Sequence, residues 1–263
     1  MTVTVSRRME ERVGPASSEP AVRIDSVIQV FEKGLPPVLD RVSLDMAPGE
    51  FVCLLGASGC GKSTLLNIVA GLTEPSGGSV QVHASHPALM FQEPALMPWL
   101  TATANVELAL RARGIARTER REEAQRLLEL VNLSGSGKKR VHELSEGMRQ
   151  RVALARSLAQ DSQLLLMDEP FATLDAITRD VLHNELIRVW SERSLSVIFV
   201  THNVRKAVRL GQRVILMSSR PGRIVREWAI DLEHPRSLES PEVSHVGAEI
   251  TRVLHKEIAR HGR

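Results

Sequence analysis

The sequence is poor in aromatic residues: Phe, Trp and Tyr make up 3% of its 263 residues, and tyrosine is absent. Any contact that needs an aromatic ring must therefore use Phe or Trp. Two cysteines, Cys53 and Cys60, are too few to indicate a disulfide scaffold and fit a reducing compartment. No apolar run approaches the ~20 residues that cross a bilayer, and the polar N-terminus lacks the apolar stretch of a secretory signal. We expect a soluble or peripheral protein with a disordered polar tail at residues 1–20.

Positive charge is in slight excess, with a net charge of +3 and an isoelectric point near 9.2. This balance suits a protein that binds a nucleotide or lies at a membrane surface, whereas DNA-binding proteins usually carry a concentrated basic stripe. The run Lys138-Lys139-Arg140 is short and is typical of a solvated loop. We therefore expect no nucleic-acid partner.

Continuous apolar runs predict strands that are buried on both faces, as in parallel sheets. Four such runs occupy residues 51–55, 164–167, 197–200 and 214–217. Amphipathic helical patterns lie between them, and this alternation predicts an α/β fold. Residues 93–160 lack a buried strand run and predict a helical insertion. We expect an α/β core at 21–92 and 161–233, a helical subdomain at 93–160 and a C-terminal helical extension at 234–263.

Residues 56–64 match the phosphate-loop pattern G-x-x-x-x-G-K-[ST] between an apolar strand and a helical sequence, which is the context that the motif requires. Glycines let the backbone amides face a phosphate, and the helix N-terminus adds positive potential. Lys62 should reach the β- and γ-phosphates, and Ser63 should hold Mg²⁺. The pattern predicts nucleotide binding by the whole loop: Gly56, Ala57, Ser58, Gly59, Cys60, Gly61, Lys62, Ser63 and Thr64.

Two carboxylates, Asp168 and Glu169, follow the second apolar run. Ligands of open α/β sheets sit at the carboxyl ends of strands, so Asp168 is placed to support Mg²⁺ and Glu169 to act as general base on the attacking water. An exposed acidic pair at a strand end is the simpler alternative. His202 follows the third run and could contact the γ-phosphate, although a lone histidine is more often structural.

These motifs form an ordered set that resembles the ATP-binding subunits of ABC transporters. The resemblance covers roughly residues 22–235 and rests on the phosphate loop, Gln92 and four further segments: LSEGMRQR at 144–151, LLLMDEP at 164–170, TLDA at 173–176 and THN at 201–203. The segment at 144–151 is the most discriminating, because other phosphate-loop enzymes lack it. The resemblance implies a RecA-like P-loop NTPase core with a mostly parallel sheet, an antiparallel β edge region and a helical subdomain insertion.

The resemblance also implies residue roles. Phe31 looks like the aromatic residue that stacks on adenine, although it could be a plain apolar residue at a strand end. Gln92 resembles the loop glutamine that senses Mg²⁺ and the membrane subunit, with a solvated loop residue as the alternative. The implied metal ligands are Ser63, Gln92 and Asp168, and the implied catalytic residues are Lys62, Gln92, Glu169 and His202.

Ser145, Glu146, Gly147 and Met148 resemble the signature segment that contacts the γ-phosphate held by the opposite subunit. The helix beginning there would direct its positive end at that phosphate. Two ATP molecules would then lie between the subunits of a homodimer, and Asp175 resembles the residue that links the two sites.

Four positions depart from the usual family pattern. Glu146 stands where glycine is usual, and its carboxylate would repel a bound γ-phosphate unless it points to solvent. Met148, Thr173 and Asn203 replace the more common Gln, Ala and Asp. We expect activity to survive all four changes, with Glu146 as the change that could slow turnover.

Residues 92–106 and 218–237 resemble the nitrate, sulfonate and taurine importers. Such importers use ATP and Mg²⁺ and pair an ATPase dimer with two integral membrane permease subunits and a periplasmic or lipid-anchored solute-binding protein. The resemblance therefore implies a peripheral location on the cytoplasmic face of the inner membrane. The apolar residues at 95–100 either form a docking surface for the membrane subunits or belong to the helical core.

Two other functions compete with transport. A non-transport ABC ATPase of DNA repair or translation typically carries long coiled coils or two tandem cassettes, and neither pattern is present. A small-molecule kinase would use the phosphate loop but would not explain the segment at 144–151.

Overall fold

The fold was determined as a computed structural model that describes residues 19–32, 34–84 and 86–261. The tail predicted for residues 1–20 lies outside the described residues up to residue 18, as do the last two residues of the predicted C-terminal extension. The strands are β1 (Val22–Gln29), β2 (Leu39–Met46), β3 (Phe51–Leu55), β4 (Gly77–Val82), β5 (Ala88–Met90), β6 (Leu164–Asp168), β7 (Ser196–Thr201), β8 (Arg213–Met217) and β9 (Ile224–Ala229). The helices are α1 (Lys62–Val69), α2 (Ala102–Ala112), α3 (Arg117–Leu130), α4 (Glu146–Leu158), α5 (Ala176–Arg193), α6 (Val204–Leu210) and α7 (Pro241–His261), with a 3-10 turn at Val141–Glu143.

The central sheet has six strands in the order β5-β6-β7-β3-β8-β9. The first five run parallel and β9 pairs antiparallel with β8. Strands β3 and β7 are buried at every residue, which explains their continuous apolar sequence, since a parallel sheet is covered on both faces. The predicted fold class, an α/β fold with a mostly parallel sheet and an antiparallel region, is confirmed. The carboxyl ends of β3, β6, β7 and β8 therefore meet at one edge of the sheet.

A second, antiparallel sheet has the order β2-β1-β4. Its buried side chains, such as Ile24 and Val42, join Leu65 and Leu66 of α1 in one apolar cluster. This packing holds the turn between β1 and β2 beside the phosphate loop: the carbonyl oxygen of Val38 lies 3.2 Å from the position that a Cβ on Gly61 would occupy.

Helices α2, α3 and α4 lie between β5 and β6 in the chain and pack around buried leucines that include Leu110, Leu127 and Leu154. Helix α7 packs against α6 through an apolar stripe in which Val243 and Ile250 are buried. The insertion thus leaves the sheet at the carboxyl end of β5, on the edge where the site residues collect, and rejoins it at the amino end of β6, on the opposite edge.

Candidate functional site

The phosphate loop connects β3 to α1, and its glycines are required by close contacts. Gly61 has a φ of 100°, and a Cβ added there would lie 2.6 Å from Cδ2 of Leu39. A Cβ on Gly56 would lie 2.9 Å from Sγ of Cys60. Any larger residue would force the loop away from its neighbours and out of its conformation.

Lys62 carries the positive charge of the loop into a mostly enclosed position. Its ammonium donates hydrogen bonds to the carbonyl oxygens of Gly56 at 3.0 Å and Ala57 at 2.9 Å, and the residue is 6% exposed. The ammonium is thus fixed inside the curl of the loop, where an anion would meet it together with the first amides of α1.

A cavity of about 580 Å³ opens above the phosphate loop. It brings together most of the residues that the sequence predicted to bind ATP or Mg²⁺. The lining residues are Phe31, Val38, Ser58, Gly59, Gly61, Lys62, Ser63, Thr64, Gln92, Asp168, Glu169 and Arg220. Gly56, Ala57 and Cys60 belong to the loop but are not part of this lining. Phe31 is 64% exposed and also lines the cavity, so its side chain is accessible to a ligand there.

The carboxylates stand at the sheet edge beside this loop. Asp168 ends β6, and Glu169 follows with a φ of 46°. The Glu169 amide donates to the carbonyl of Val200 at 3.2 Å, and its carboxylate Oε2 lies 2.7 Å from Nδ1 of His202. Adjacent parallel strands therefore place an acid and an imidazole in contact, an arrangement that can orient a general base.

His202 is separated from the large cavity by Glu169. It lines instead a small space of about 10 Å³ that also touches Glu169 and Lys206. The observed side-chain partner of His202 is Glu169, which lines both spaces.

The loop after β5 is bonded to α4. The side-chain amide of Gln150 donates to the carbonyl oxygen of Gln92 at 2.9 Å. Arg156 donates to the carbonyls of Pro94 at 2.8 Å and Ala95 at 2.7 Å. Because Gln150 and Arg156 both lie on α4, a shift of the Gln92 loop would strain or break hydrogen bonds to that helix.

The residues predicted to act across a dimer lie close to one another and are not part of the cavity lining. The Ser145 hydroxyl accepts from the Met148 amide at 3.3 Å and caps α4. Asp175 caps α5 by accepting from the Thr178 amide at 3.0 Å, and this hydrogen bond holds the pKa of the Asp175 carboxyl below its usual range. A Cβ on Gly147 would lie 2.5 Å from the Thr178 methyl group, so the two helix starts meet at Gly147.

Glu146 and Met148 point in different directions. The Glu146 carboxylate is half-buried and lies 3.6 Å from a guanidinium nitrogen of Arg149, whereas Met148 packs against the main apolar core. The carboxylate that could repel a phosphate is thus partly neutralised within its own helix.

The apolar residues at 95–100 were predicted to be either a docking surface or part of the helical core, and the structure contains residues of both kinds. Leu96 packs against the core, while Met97 and Trp99 are exposed, Trp99 by 70%. Trp99 thus remains available for contact with another protein.

Sequence reasoning missed two cavity residues, Val38 and Arg220. Val38 lies outside the motifs, and Arg220 lies in the segment 218–237, which indicated an importer branch and gave no sign of nucleotide binding. Arg220 follows β8, which pairs with β3, so the signal that could have found it is strand order: the loops after neighbouring parallel strands meet at one edge.

No group of three or more His, Cys, Asp or Glu side chains suited to a metal occurs within residues 19–32, 34–84 and 86–261. The oxygen-bearing side chains of Ser63, Gln92 and Asp168 do line one cavity, which is compatible with Mg²⁺, an ion that takes few protein ligands when it binds with phosphates. Over the same described part of the chain, no helix is both long and apolar enough to cross a membrane.

Comparison with known proteins gives a consistent result. The model of the ABC transporter family matches residues 39–172. An uncharacterised ABC transporter ATP-binding protein of Methanocaldococcus jannaschii is 40% identical over 248 residues, which are 91% of this chain and 93% of the relative. A taurine import ATP-binding protein of Mesorhizobium japonicum is 46% identical over 209 residues, 76% of this chain and 81% of the relative.

Solved structures agree with these relatives. The dimeric post-hydrolysis state of an ATP-binding cassette bound to ADP and Pi has a TM-score of 0.71 and 31% sequence identity. The match covers 81% of this chain and 100% of that chain.

Proposed function

The chain belongs to the ATP-binding proteins of ABC transporters and is an ATPase, and we propose that it powers the import of a small solute such as taurine, another sulfonate or nitrate. Relatives named for taurine import support this proposal, because their similarity extends over at least 76% of the chain. The observation that carries the ATPase part is the single cavity in which the phosphate loop and Glu169 face the same space.

ATP would bind along this cavity. Its adenine would stack on the exposed ring of Phe31, and its phosphates would meet the amides of the loop and the ammonium of Lys62. The oxygens of Ser63, Gln92 and Asp168 would hold Mg²⁺, which neutralises charge on the phosphates.

Hydrolysis would depend on the carboxylate of Glu169. Glu169 accepts a proton from water while the water oxygen bonds to the γ-phosphorus. The bond from that phosphorus to the β–γ bridging oxygen breaks, which leaves ADP and inorganic phosphate. The 2.7 Å contact with His202 would keep the Glu169 carboxylate directed at the cavity.

The complete site would form between two copies of the chain. In each half, residues 145–148 at the start of α4 would cover the phosphates bound by the other copy, with Asp175 beside them. Support comes from the lining of the single-chain cavity, which does not include these residues, and from the dimeric cassettes of known structure. ATP would bind more tightly to the closed dimer and so favour closure.

Closure would reach the membrane through the Gln92 loop. This loop is hydrogen bonded to α4, and the exposed Trp99 follows it in sequence. We infer that the insertion docks on two integral membrane permease subunits at the cytoplasmic face of the inner membrane, and that a periplasmic or lipid-anchored protein delivers the solute to them.

Copurification tests the transport proposal. The tagged chain is extracted with gentle detergent from membranes of its native host, and its companions are identified by mass spectrometry. We expect a multispanning membrane protein together with a solute-binding protein whose ligand names the solute. Trp99→Ser should reduce this recovery, whereas Ile258→Ser, which changes an exposed apolar residue on α7, should not. Recovery of the chain alone, or with ribosomes or DNA, would contradict the transport proposal and leave the ATPase chemistry intact.

A further inference from the structure

The segment between β8 and β9 forms one wall of the nucleotide cavity. The amide of Gly222 donates to the carbonyl of Val38 at 2.8 Å, and the amide of Asp40 donates to the carbonyl of Gly222 at 3.0 Å. A Cβ on Gly222 would overlap the carbonyl oxygen of Cys60. Backbone contacts therefore fix this segment against both the phosphate loop and the start of β2.

Side-chain bonds also rigidify the segment from within. The Ser218 hydroxyl donates to the Pro221 carbonyl at 2.6 Å and accepts from the Arg223 amide at 2.9 Å. The Arg223 guanidinium is paired with the carboxylate of Asp40. The turn that carries Arg220 is thus held at both ends.

Arg220 directs its guanidinium into the cavity. Its Nε donates to the carbonyl oxygen of Gly59 at 3.1 Å, and the side chain lines the same space as Lys62 and Ser63. No carboxylate within the described ranges 19–32, 34–84 and 86–261 forms an ion pair with Arg220, in contrast to Arg223. One of its five N–H groups is bonded to the loop, so the two terminal nitrogens are left to meet a ligand.

We propose that Arg220 is an ATP-binding residue whose guanidinium forms charge-assisted hydrogen bonds with the phosphate chain. This inference rests on the proposed binding of ATP in this cavity. Arginine is suited to the role because its planar fork matches phosphate oxygens and its charge is permanent. The bond from Nε to Gly59 orients the fork before ATP arrives, which lowers the entropy cost of the contact.

The alternative is that Arg220 only braces the phosphate loop through Gly59. Glutamine at this position keeps an N–H donor for that brace and removes the charge. Lysine keeps the charge and removes the fork. The two substitutions therefore separate bracing from phosphate binding.

Binding is measured by displacement of a fluorescent nucleotide analogue with ATP, ADP and adenosine, without metal and at two salt concentrations. We expect Arg220→Gln to lower the affinity for ATP and ADP about tenfold, the size expected for a lost charge-assisted hydrogen bond. The affinity for adenosine should not change. The ATP affinity of Arg220→Lys should lie between those of the wild type and Arg220→Gln. The salt dependence of ATP binding should be shallower for Arg220→Gln, because one cation no longer meets the phosphates.

Arg223→Gln is the matched control, since it removes the same charge from the same segment but outside the cavity. Wild-type ATP affinity of Arg220→Gln would overturn the inference. Equal weakening of adenosine, or equal weakening by Arg223→Gln, would overturn it too, because the effect would then act through the wall and not through phosphate. Lys62→Ala distinguishes a failure of the Arg220 inference from a failure of the proposed ATP site. If this variant also binds ATP with wild-type affinity, the proposed site itself is wrong.

Discussion

At the scale of single residues, the proposed chemistry depends on where a few charged groups are held. Glu169 sits in the left-handed backbone region with a φ of 46°, a strained conformation for a residue with a side chain. That conformation turns its carboxylate toward both the cavity and His202. The strain is offset by the hydrogen bond that the Glu169 amide donates to the carbonyl oxygen of Val200. This bond anchors the residue to the neighbouring strand.

Glu169→Gln should separate binding from hydrolysis. The amide is nearly isosteric, so we expect ATP to bind with wild-type affinity and to hold the dimer closed. It cannot accept the proton of the attacking water, and the turnover should fall by about 100-fold or more. Phosphate release and nucleotide affinity are measured on the same preparation, and the control is Glu192→Gln, which changes an exposed glutamate near the end of α5. Brisk hydrolysis by Glu169→Gln would remove Glu169 as the base.

His183 is buried near the same edge and responds to pH. It packs against the rings of Phe171 and Phe199, and burial lowers its pKa from 6.5 to about 3, with a further contribution from Arg209. Its unfolded form therefore binds a proton below pH 6.5 while its folded form stays neutral. Stability from this group is present above pH 6.5 and is lost as the pH falls toward 3.

His183→Leu should make the protein less sensitive to acid. The wild type should lose about 3 kcal/mol of unfolding free energy from this group between pH 7 and pH 4, and the variant should not. Urea unfolding at a series of pH values measures the slope, and His255→Leu on the exposed face of α7 is the control. A variant with the wild-type slope would show that another group dominates acid unfolding.

At the scale of elements, α4 is the helix that joins the functional parts. Its start carries Ser145 and Gly147, and its side chains bond the Gln92 loop through Gln150 and Arg156. On another face, Arg151 pairs with the buried carboxylate of Glu185 on α5 at 3.0 Å. Helix α4 is thus tied both to the loop proposed to sense ATP and to the core.

Removing one partner of the Arg151–Glu185 pair should destabilise the fold. Arg151→Met leaves the Glu185 carboxylate buried without its cation, which should cost about 3 kcal/mol. The double variant Arg151→Met with Glu185→Leu removes both charges and should recover much of that loss. Denaturant unfolding of the two single variants and the double variant gives the coupling. Additive losses would show that the two side chains do not interact.

At the scale of the whole molecule, the proposed ATP site is divided between two regions of the chain. The phosphate cavity lies at the sheet edge, and its lining does not include the starts of α4 and α5. The proposed homodimer would place each region opposite its complement twice, by the symmetry of a two-fold axis. Glu146 would then face the phosphates of the other copy.

Glu146→Gly tests that arrangement. If the carboxylate lies near the partner's γ-phosphate, its removal relieves a repulsion of order 1 kcal/mol, and ATPase turnover should rise a few-fold. The turnover of Glu146→Gln, which lacks the charge but keeps the size of the side chain, should rise by a similar factor. Steady-state rates are compared at several protein concentrations, so that dimer formation and turnover are separated. Equal rates for all three proteins would mean that Arg149 keeps the carboxylate away from the phosphate.

The sequence by itself determined the features that arise from residues adjacent in the chain, namely the phosphate loop and the buried strands. The phosphate loop is a contiguous segment whose glycines and lysine act through their own backbone, and the strands β3, β6, β7 and β8 are contiguous apolar runs. Glu169 could be placed because it directly follows such a run. The loop residues therefore needed no knowledge of the rest of the chain.

Only the tertiary structure decided which distant segments meet. Strand order places β8 beside β3 and so brings Arg220 to Gly59. Packing of α4 on α5 brings Gly147 to Thr178, and the pairing of β6 with β7 brings His202 to Glu169. These contacts arise from sheet pairing and core packing between segments far apart in the chain, and no local periodicity specifies them.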